Sequence, residues 1–223
     1  MDRRLARSPF QAIADLPHFV GRQHETQAIT RAMLGPSPAR LCCLHGIAGA
    51  GKTALATHLA YALRPCFPDG VLWARLDKAD TLAVLSSFAR AYGVDVGEYR
   101  DLESRSRVVR ELLAHRRALI VLDNVETSDQ AEPLLPPTGS CVTLITTRRQ
   151  DLAVTRGARR FQLGPFERRE ESLELFASYL DETKTLGERE SLEPIAALLG
   201  DLPLAVDIAA SRMAHEPGWS ASD

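Results

Sequence analysis

Eight residues, Gly46-Ile47-Ala48-Gly49-Ala50-Gly51-Lys52-Thr53, carry the spacing G-x-x-x-x-G-K-[ST]. Glycines let successive backbone N–H groups converge on phosphate oxygens where side chains would obstruct the approach. An apolar run, Leu41-Cys42-Cys43-Leu44, precedes the octet, and a helix-forming stretch from Ala54 to Ala60 follows it. Strand, glycine turn and helix together form the context that gives the pattern its meaning. The positive end of the new helix adds to the attraction for anions. Lys52 would reach the β- and γ-phosphates and the Thr53 hydroxyl would hold Mg²⁺. The binding surface expected here comprises Gly46, Gly49, Ala50, Gly51, Lys52, Thr53 and Ala54. The chain is therefore expected to bind a nucleoside di- or triphosphate.

Other groups fit round that loop. Asp123 ends the apolar run Ala118-Leu119-Ile120-Val121-Leu122, and parallel sheets place ligands beyond such strand ends. With Thr53 it would complete a Mg²⁺ site, through water, because Mg²⁺ keeps part of its hydration shell. The next residue is Asn124, whose amide can position water but cannot take its proton. Glu126 is the nearest acid in the sequence. Slow hydrolysis or none is expected. Arg148 follows Thr146-Thr147 at another strand end and would bring a guanidinium toward the γ-phosphate, distinguishing triphosphate from diphosphate. Arg149 reads as surface, and the six histidines as structural or solvated.

The elements that must position these groups alternate. Helix is expected over 22–34, strand over 40–45, helix from the octet to about Leu63, and strand over 70–76. Helices over 80–92 and 102–115 follow, the second with Leu102, Val109, Leu112 and Leu113 on one face. Then come a doubly buried strand over 118–123, a short helix near 127–135, and strands over 141–147 and 159–163. Such alternation predicts an α/β fold, a parallel sheet with helices on both faces. After Gly164-Pro165 only helices are expected, over 167–181, 188–200 and 203–215. Leu173, Phe176 and Leu180 set the stripe of the first, and Ile195, Leu198 and Leu199 that of the second. The division expected is an arm or linker over 1–17, an α/β domain over 18–164 and a small all-α helical domain over 165–223.

Composition sets outer bounds. The chain has 223 residues, 45% hydrophobic and 25% charged, with a net charge of −2, so no general pull toward nucleic acid or anionic membrane is expected. No apolar stretch approaches a membrane span, and the first residues lack the apolar segment of a signal peptide; a cytoplasmic protein is expected. Cys42, Cys43, Cys66 and Cys141 have no metal-ligand spacing and read as buried free thiols, the adjacent pair pointing to opposite faces of a strand. Only three cations are lysines, Lys52, Lys78 and Lys184.

The ordered motifs resemble the NB-ARC family of STAND nucleotide switches. The opening Phe19-Val20-Gly21-Arg22-Gln23-His24-Glu25, the phosphate loop Gly46–Thr53, Leu119–Val125, Leu144-Ile145-Thr146-Thr147-Arg148 and Gly200-Asp201-Leu202-Pro203-Leu204-Ala205 match in order, from about residue 17 to 215. The resemblance implies a P-loop NTPase sheet with ATP or ADP clamped between it and the helical domain, adenine near Val20 and Arg22, and Pro203 closing over the base. It implies a closed ADP state and an ATP state that opens and self-associates. It further implies other domains in a larger protein, while net charge and the lack of an apolar span point to neither membrane nor direct nucleic acid as partner. Base specificity rests on the resemblance alone. The chain departs from the family at Asn124, often a second acid, and at Asp201, often Gly in bacterial relatives. It ends at Asp223, before the winged-helix domain that supplies the family's His contact to ADP, and so reads as a fragment or a truncated relative. Two other readings stay open. One is a working AAA-like ATPase remodelling protein or nucleic acid, disfavoured by Asn124 and the lack of a basic stripe. The other is a scaffold that nucleotide merely stabilises.

Overall fold

A computed structural model describes residues 8–137, 140–180 and 187–215. The first seven residues, Thr138 and Gly139, Lys184 and the end of the helix expected over 167–181 lie outside the described residues. Within them, five strands alternate with helices: α1 (Gln23–Leu34), β1 (Leu41–Gly46), α2 (Lys52–Ala62), β2 (Val71–Arg75), α3 (Thr81–Ala91), α4 (Leu102–Ala114), β3 (Leu119–Asp123), α5 (Ser128–Ala131), β4 (Val142–Thr147) and β5 (Arg159–Leu163). Three further helices follow, α6 (Arg169–Leu180), α7 (Arg189–Leu198) and α8 (Pro203–His215).

All strand pairs are parallel, in the order β2-β3-β4-β1-β5. The fold is the expected one, a parallel α/β sheet followed by helices. β3 and β4 are buried along their whole length, which is why they read as unbroken apolar or Thr-rich runs. Alternation across the sheet separates the two neighbouring thiols. Cys43 joins the apolar cluster under α3 and α4, and Cys42 joins the one under α1 and α2. A third cluster, built round Leu173, Phe176, Leu192 and Val206, holds the last three helices together and takes in Val20 and Phe166.

Three expectations are corrected in detail. Residues 9–11 are not a free arm: Phe10 bridges Val71 in parallel, Val71 N–H donates to Pro9 O at 2.8 Å and Gln11 N–H to Val71 O at 2.9 Å. The segment covers the outer edge of β2, whose backbone groups need partners. Leu198 is 88% exposed rather than part of the α7 stripe, where Leu192 and Ala196 are buried instead. Leu102, the first residue of α4, is 38% exposed, while Val109 and Leu113 carry that helix's buried face. A helix start has no preceding turn to hold its side chain down, so the stripe's periodicity overshoots there.

Candidate functional site

The C-terminal ends of β1, β3 and β4 converge on the phosphate loop. Gly49 and Gly51 take left-handed conformations, φ 78° and 86°, and Gly51 caps the start of α2. Both positions suit glycine, which has no Cβ to strain there. A Cβ on Gly49 would stand 3.1 Å from Leu202 Cδ2 and 3.2 Å from Leu204 Cβ, so the helical segment presses on the loop itself. Leu204 N–H also donates to Gly49 O at 3.1 Å.

Lys52, the first residue of α2, points back into the loop. Its ammonium donates to Gly46 O at 2.9 Å and to Ile47 O at 2.7 Å. An ammonium has three donors, so one remains for a ligand. Burial lowers its pKa from the ordinary lysine value, and nearby Arg148 lowers it further, while Asp123 opposes both. Thr53 Oγ1 donates to Asp123 Oδ1 at 2.8 Å, and Thr146 Oγ1 donates to the same oxygen at 2.6 Å. Thr146 Oγ1 in turn accepts from Asn124 N–H at 2.8 Å. The strand carrying Thr146 thus aims the acid of its neighbour β3. Asn124 itself is left-handed, φ 58°, a conformation that Asn visits more readily than most residues.

A cavity of about 530 Å³ opens over these groups, within the range of small-ligand sites. Val20, Arg22, Gly49, Ala50, Gly51, Lys52, Thr53, Ala54, Asn124, Arg148 and Pro203, all expected from sequence, line it. Gly46 and Asp123 stand behind that lining: Gly46 abuts β5, where a Cβ would fall 1.9 Å from Leu163 O, and Asp123 is 1% exposed. Donor chemistry and space both fit a nucleotide. The Thr53 hydroxyl beside one buried carboxylate fits Mg²⁺, which takes one or two protein oxygens and fills its sphere with phosphate and water. Among the described residues, no group of three or more His, Cys, Asp or Glu is placed to hold a metal.

Arg22 does more than line the cavity. It is 4% exposed and left-handed, φ 59°. Its guanidinium pairs with Glu25 at 2.7 Å, donates to Ala50 O at 3.2 Å and Gly164 O at 2.5 Å, and lies 5.0 Å from the Phe166 ring centre. Its backbone N–H donates to Glu171 Oε1 at 3.0 Å. One side chain therefore ties the phosphate loop, the end of β5 and the Phe166 turn together.

Several lining residues were missed from sequence. His18 stacks on Tyr179, ring centres 3.8 Å apart, and the Tyr179 hydroxyl donates to Asp207 at 2.7 Å; all three face the cavity. Burial, with Asp207 beside it, pushes the Tyr179 phenol up to about 12. Arg75, at the end of β2, also lines it. None of these belongs to a spaced motif, so no local signal could have found them. Glu126 is exposed and outside the lining; the carboxyl that Asn124 helps to lower is that of Asp77.

Residues 22–185 match the family described as the NB-ARC domain. The chain belongs to the NB-ARC family. It is 37% identical to the regulatory protein AfsR of Streptomyces coelicolor and 39% identical to that of Streptomyces griseus, covering 96% of this chain in both cases. It spans 23% of the length of either relative. Among solved structures, it resembles a Signal Transduction ATPase with Numerous Domains (STAND) protein with a tetratricopeptide repeat sensor from Pyrococcus horikoshii. That likeness has a TM-score of 0.62 and 21% identity, covering 89% of this chain and 30% of the other. The chain is thus an NB-ARC domain with a P-loop, of the kind found in larger regulatory proteins. Among the described residues no helix is long and apolar enough to cross a membrane.

Asp201 of this NB-ARC chain takes a backbone conformation that glycine adopts without strain. It is left-handed, φ 51°, directly after left-handed Gly200. Its carboxylate accepts from Arg169 and Ser172, each at 2.7 Å, and its carbonyl accepts from Phe166 N–H at 2.9 Å. Side-chain bonds offset the strain of φ > 0 and lead straight into Pro203.

Proposed function

We propose that this NB-ARC domain is the ATP/ADP-binding switch of a larger regulatory protein. One observation carries the reading: the cavity is walled on one side by the phosphate loop and on the other by Pro203, Leu204, Tyr179 and Asp207 of the helical segment, with Leu204 bonded to the loop. A change in what the loop holds is felt directly by those helices. Ala48 to Ala54 cradle the phosphates with Gly46 behind them, Lys52 neutralises them, and Thr53 with water-linked Asp123 holds Mg²⁺. Val20, Arg22 and Pro203 frame the adenine, and Arg148 meets the terminal phosphate. The domain over 18–164 and the helices from 165 onward move as separate bodies, closed with diphosphate and opened on exchange for triphosphate, when copies self-associate. Asn124 positions water without taking its proton, so hydrolysis is slow or absent. Bound Mg²⁺–nucleotide supplies the charge that the loop's dipoles and cations answer. The free thiols, three of them buried, suit a reducing, cytoplasmic setting.

Heat release and chromatography of freshly purified protein provide the test. ADP retained by the wild type and lost from Lys52→Ala is the expected result; wild type that neither carries nor binds adenine nucleotide refutes the reading. Small-angle scattering with ADP and with an ATP analogue should differ, and superimposable curves would reduce the switch to a scaffold. Turnover above about 1 s⁻¹, the low end of ordinary enzyme rates, would instead indicate a working ATPase.

A further inference from the structure

Within the nucleotide reading, on which this step rests, we propose that Arg75 is a ligand of the terminal phosphate of a nucleoside triphosphate and that Asp77 competes with that phosphate for it. The order β2-β3-β4 places β3 between two arginine-bearing strand ends. Arg75 closes β2 in register with Asp123, and Arg148 follows β4. A phosphate above the end of β3, beside Asp123 and Asn124, therefore meets a guanidinium from each flanking strand. Both arginines line the cavity together with Lys52 and Thr53. The rest of β2 is buried and apolar, so packing does not account for a cation at its last position.

Arg75 is held as a phosphate would hold it. Its Nε donates to Asp77 Oδ1 at 2.9 Å and a terminal nitrogen donates to Asp77 Oδ2 at 3.3 Å. The same planar fork fits two oxygens of a phosphate, and carboxylate and phosphate are interchangeable partners for it. The Arg75 side chain is 52% exposed, against 18% for Asp77, so the cation is the partner more accessible to a ligand. Asn124, in the loop that follows Asp123, also helps to lower the Asp77 carboxyl. Burial raises the Asp77 carboxyl, but Arg75 and Asn124 outweigh it and leave the group below the usual carboxylate range. An ionised Asp77 thus keeps Arg75 neutralised, and a terminal phosphate draws the fork away. A diphosphate, served by Lys52 and the loop, does not reach it.

The test compares ADP with a non-hydrolysable ATP analogue in equilibrium titrations of wild type, Arg75→Ala, Asp77→Asn and the double variant. Arg75→Ala should weaken the analogue by about tenfold or more relative to ADP, the usual weight of a charge-assisted pair. Asp77→Asn should shift the ratio the opposite way, by several-fold toward the analogue, and the double variant should behave like Arg75→Ala. A pair that merely fastens the β2–α3 loop predicts shifts of the same sign for both single variants. That result, or an unchanged ratio in both with wild type binding both nucleotides, overturns the proposal alone. Wild type binding neither nucleotide overturns the nucleotide reading and this proposal with it.

Discussion

Replacing Arg22 with alanine removes one buried guanidinium and leaves three groups without their partner. The Ala50 and Gly164 carbonyls lose a donor, and Glu25, 17% exposed at its side chain, loses its counter-charge. Removing one member of a buried, hydrogen-bonded charge pair costs about 3–5 kcal/mol. The contact with the Phe166 ring adds at most about 1–2 kcal/mol in a desolvated setting, and part of it is replaced by water. A total near 4 kcal/mol is a large part of the roughly 5–15 kcal/mol that a domain has. For a chain of this size, it lowers the melting temperature by about 6–20 °C. The left-handed φ of residue 22 is equally strained for arginine and alanine, so backbone strain does not enter the difference. Thermal unfolding of Arg22→Ala, without nucleotide, checks the figure directly. Arg22→Lys should fall between, because one ammonium cannot span three acceptors on separate segments. A melting temperature within about 2 °C of wild type, under 1 kcal/mol on the same scale, would refute the clamp and return Arg22 to the role of a cavity wall.

Gly46→Ala should be still more damaging: its Cβ would fall 1.9 Å from Leu163 O, a backbone atom of the adjoining β5, at φ 154°. Loss of soluble expression or of more than about 3 kcal/mol is expected, read by denaturant unfolding, whereas Gly51→Ala, whose Cβ would have Pro203 at an easy 3.8 Å, should cost only about 1–2 kcal/mol of backbone strain. Thiol titration at pH 8 should find Cys66, half-buried, reacting first, with Cys42, Cys43 and Cys141 protected until unfolding. Burial, with Cys43 adjacent, pushes Cys42 up to about 12, and burial alone outweighs Arg160 to push Cys43 up to about 11. Both folded values lie above the unfolded one, so their contribution is full below about pH 9 and is lost as pH rises from there to about 12. Stability rising across that window would contradict the burial of these thiols.

The phosphate loop was legible because it is local. Eight contiguous residues specify their own turn, with Gly49 and Gly51 able to take φ 78° and 86°, and the flanking apolar and helical runs place that turn on a strand end. Asp123 was legible for a similar reason, as the acid closing a doubly buried strand. Apolar runs also located the inner strands, since burial on both faces leaves them unbroken, whereas β5, with burial at Leu163 but exposed Arg159 and Arg160, carries only a weak signal. Periodicity failed at Leu102 and Leu198, where a helix end turns the stripe to solvent. What tertiary structure alone decided are the meetings of distant residues. Arg22 reaches Glu171 across 149 positions, and Tyr179 reaches His18 and Asp207 from opposite directions along the chain. Nor could spacing show that Asn124 would act on the carboxyl of Asp77. That followed only when β2 took its place beside β3. A sequence specifies backbone conformation residue by residue, but the partners of a side chain depend on strand order, and strand order is set by the packing of the whole sheet.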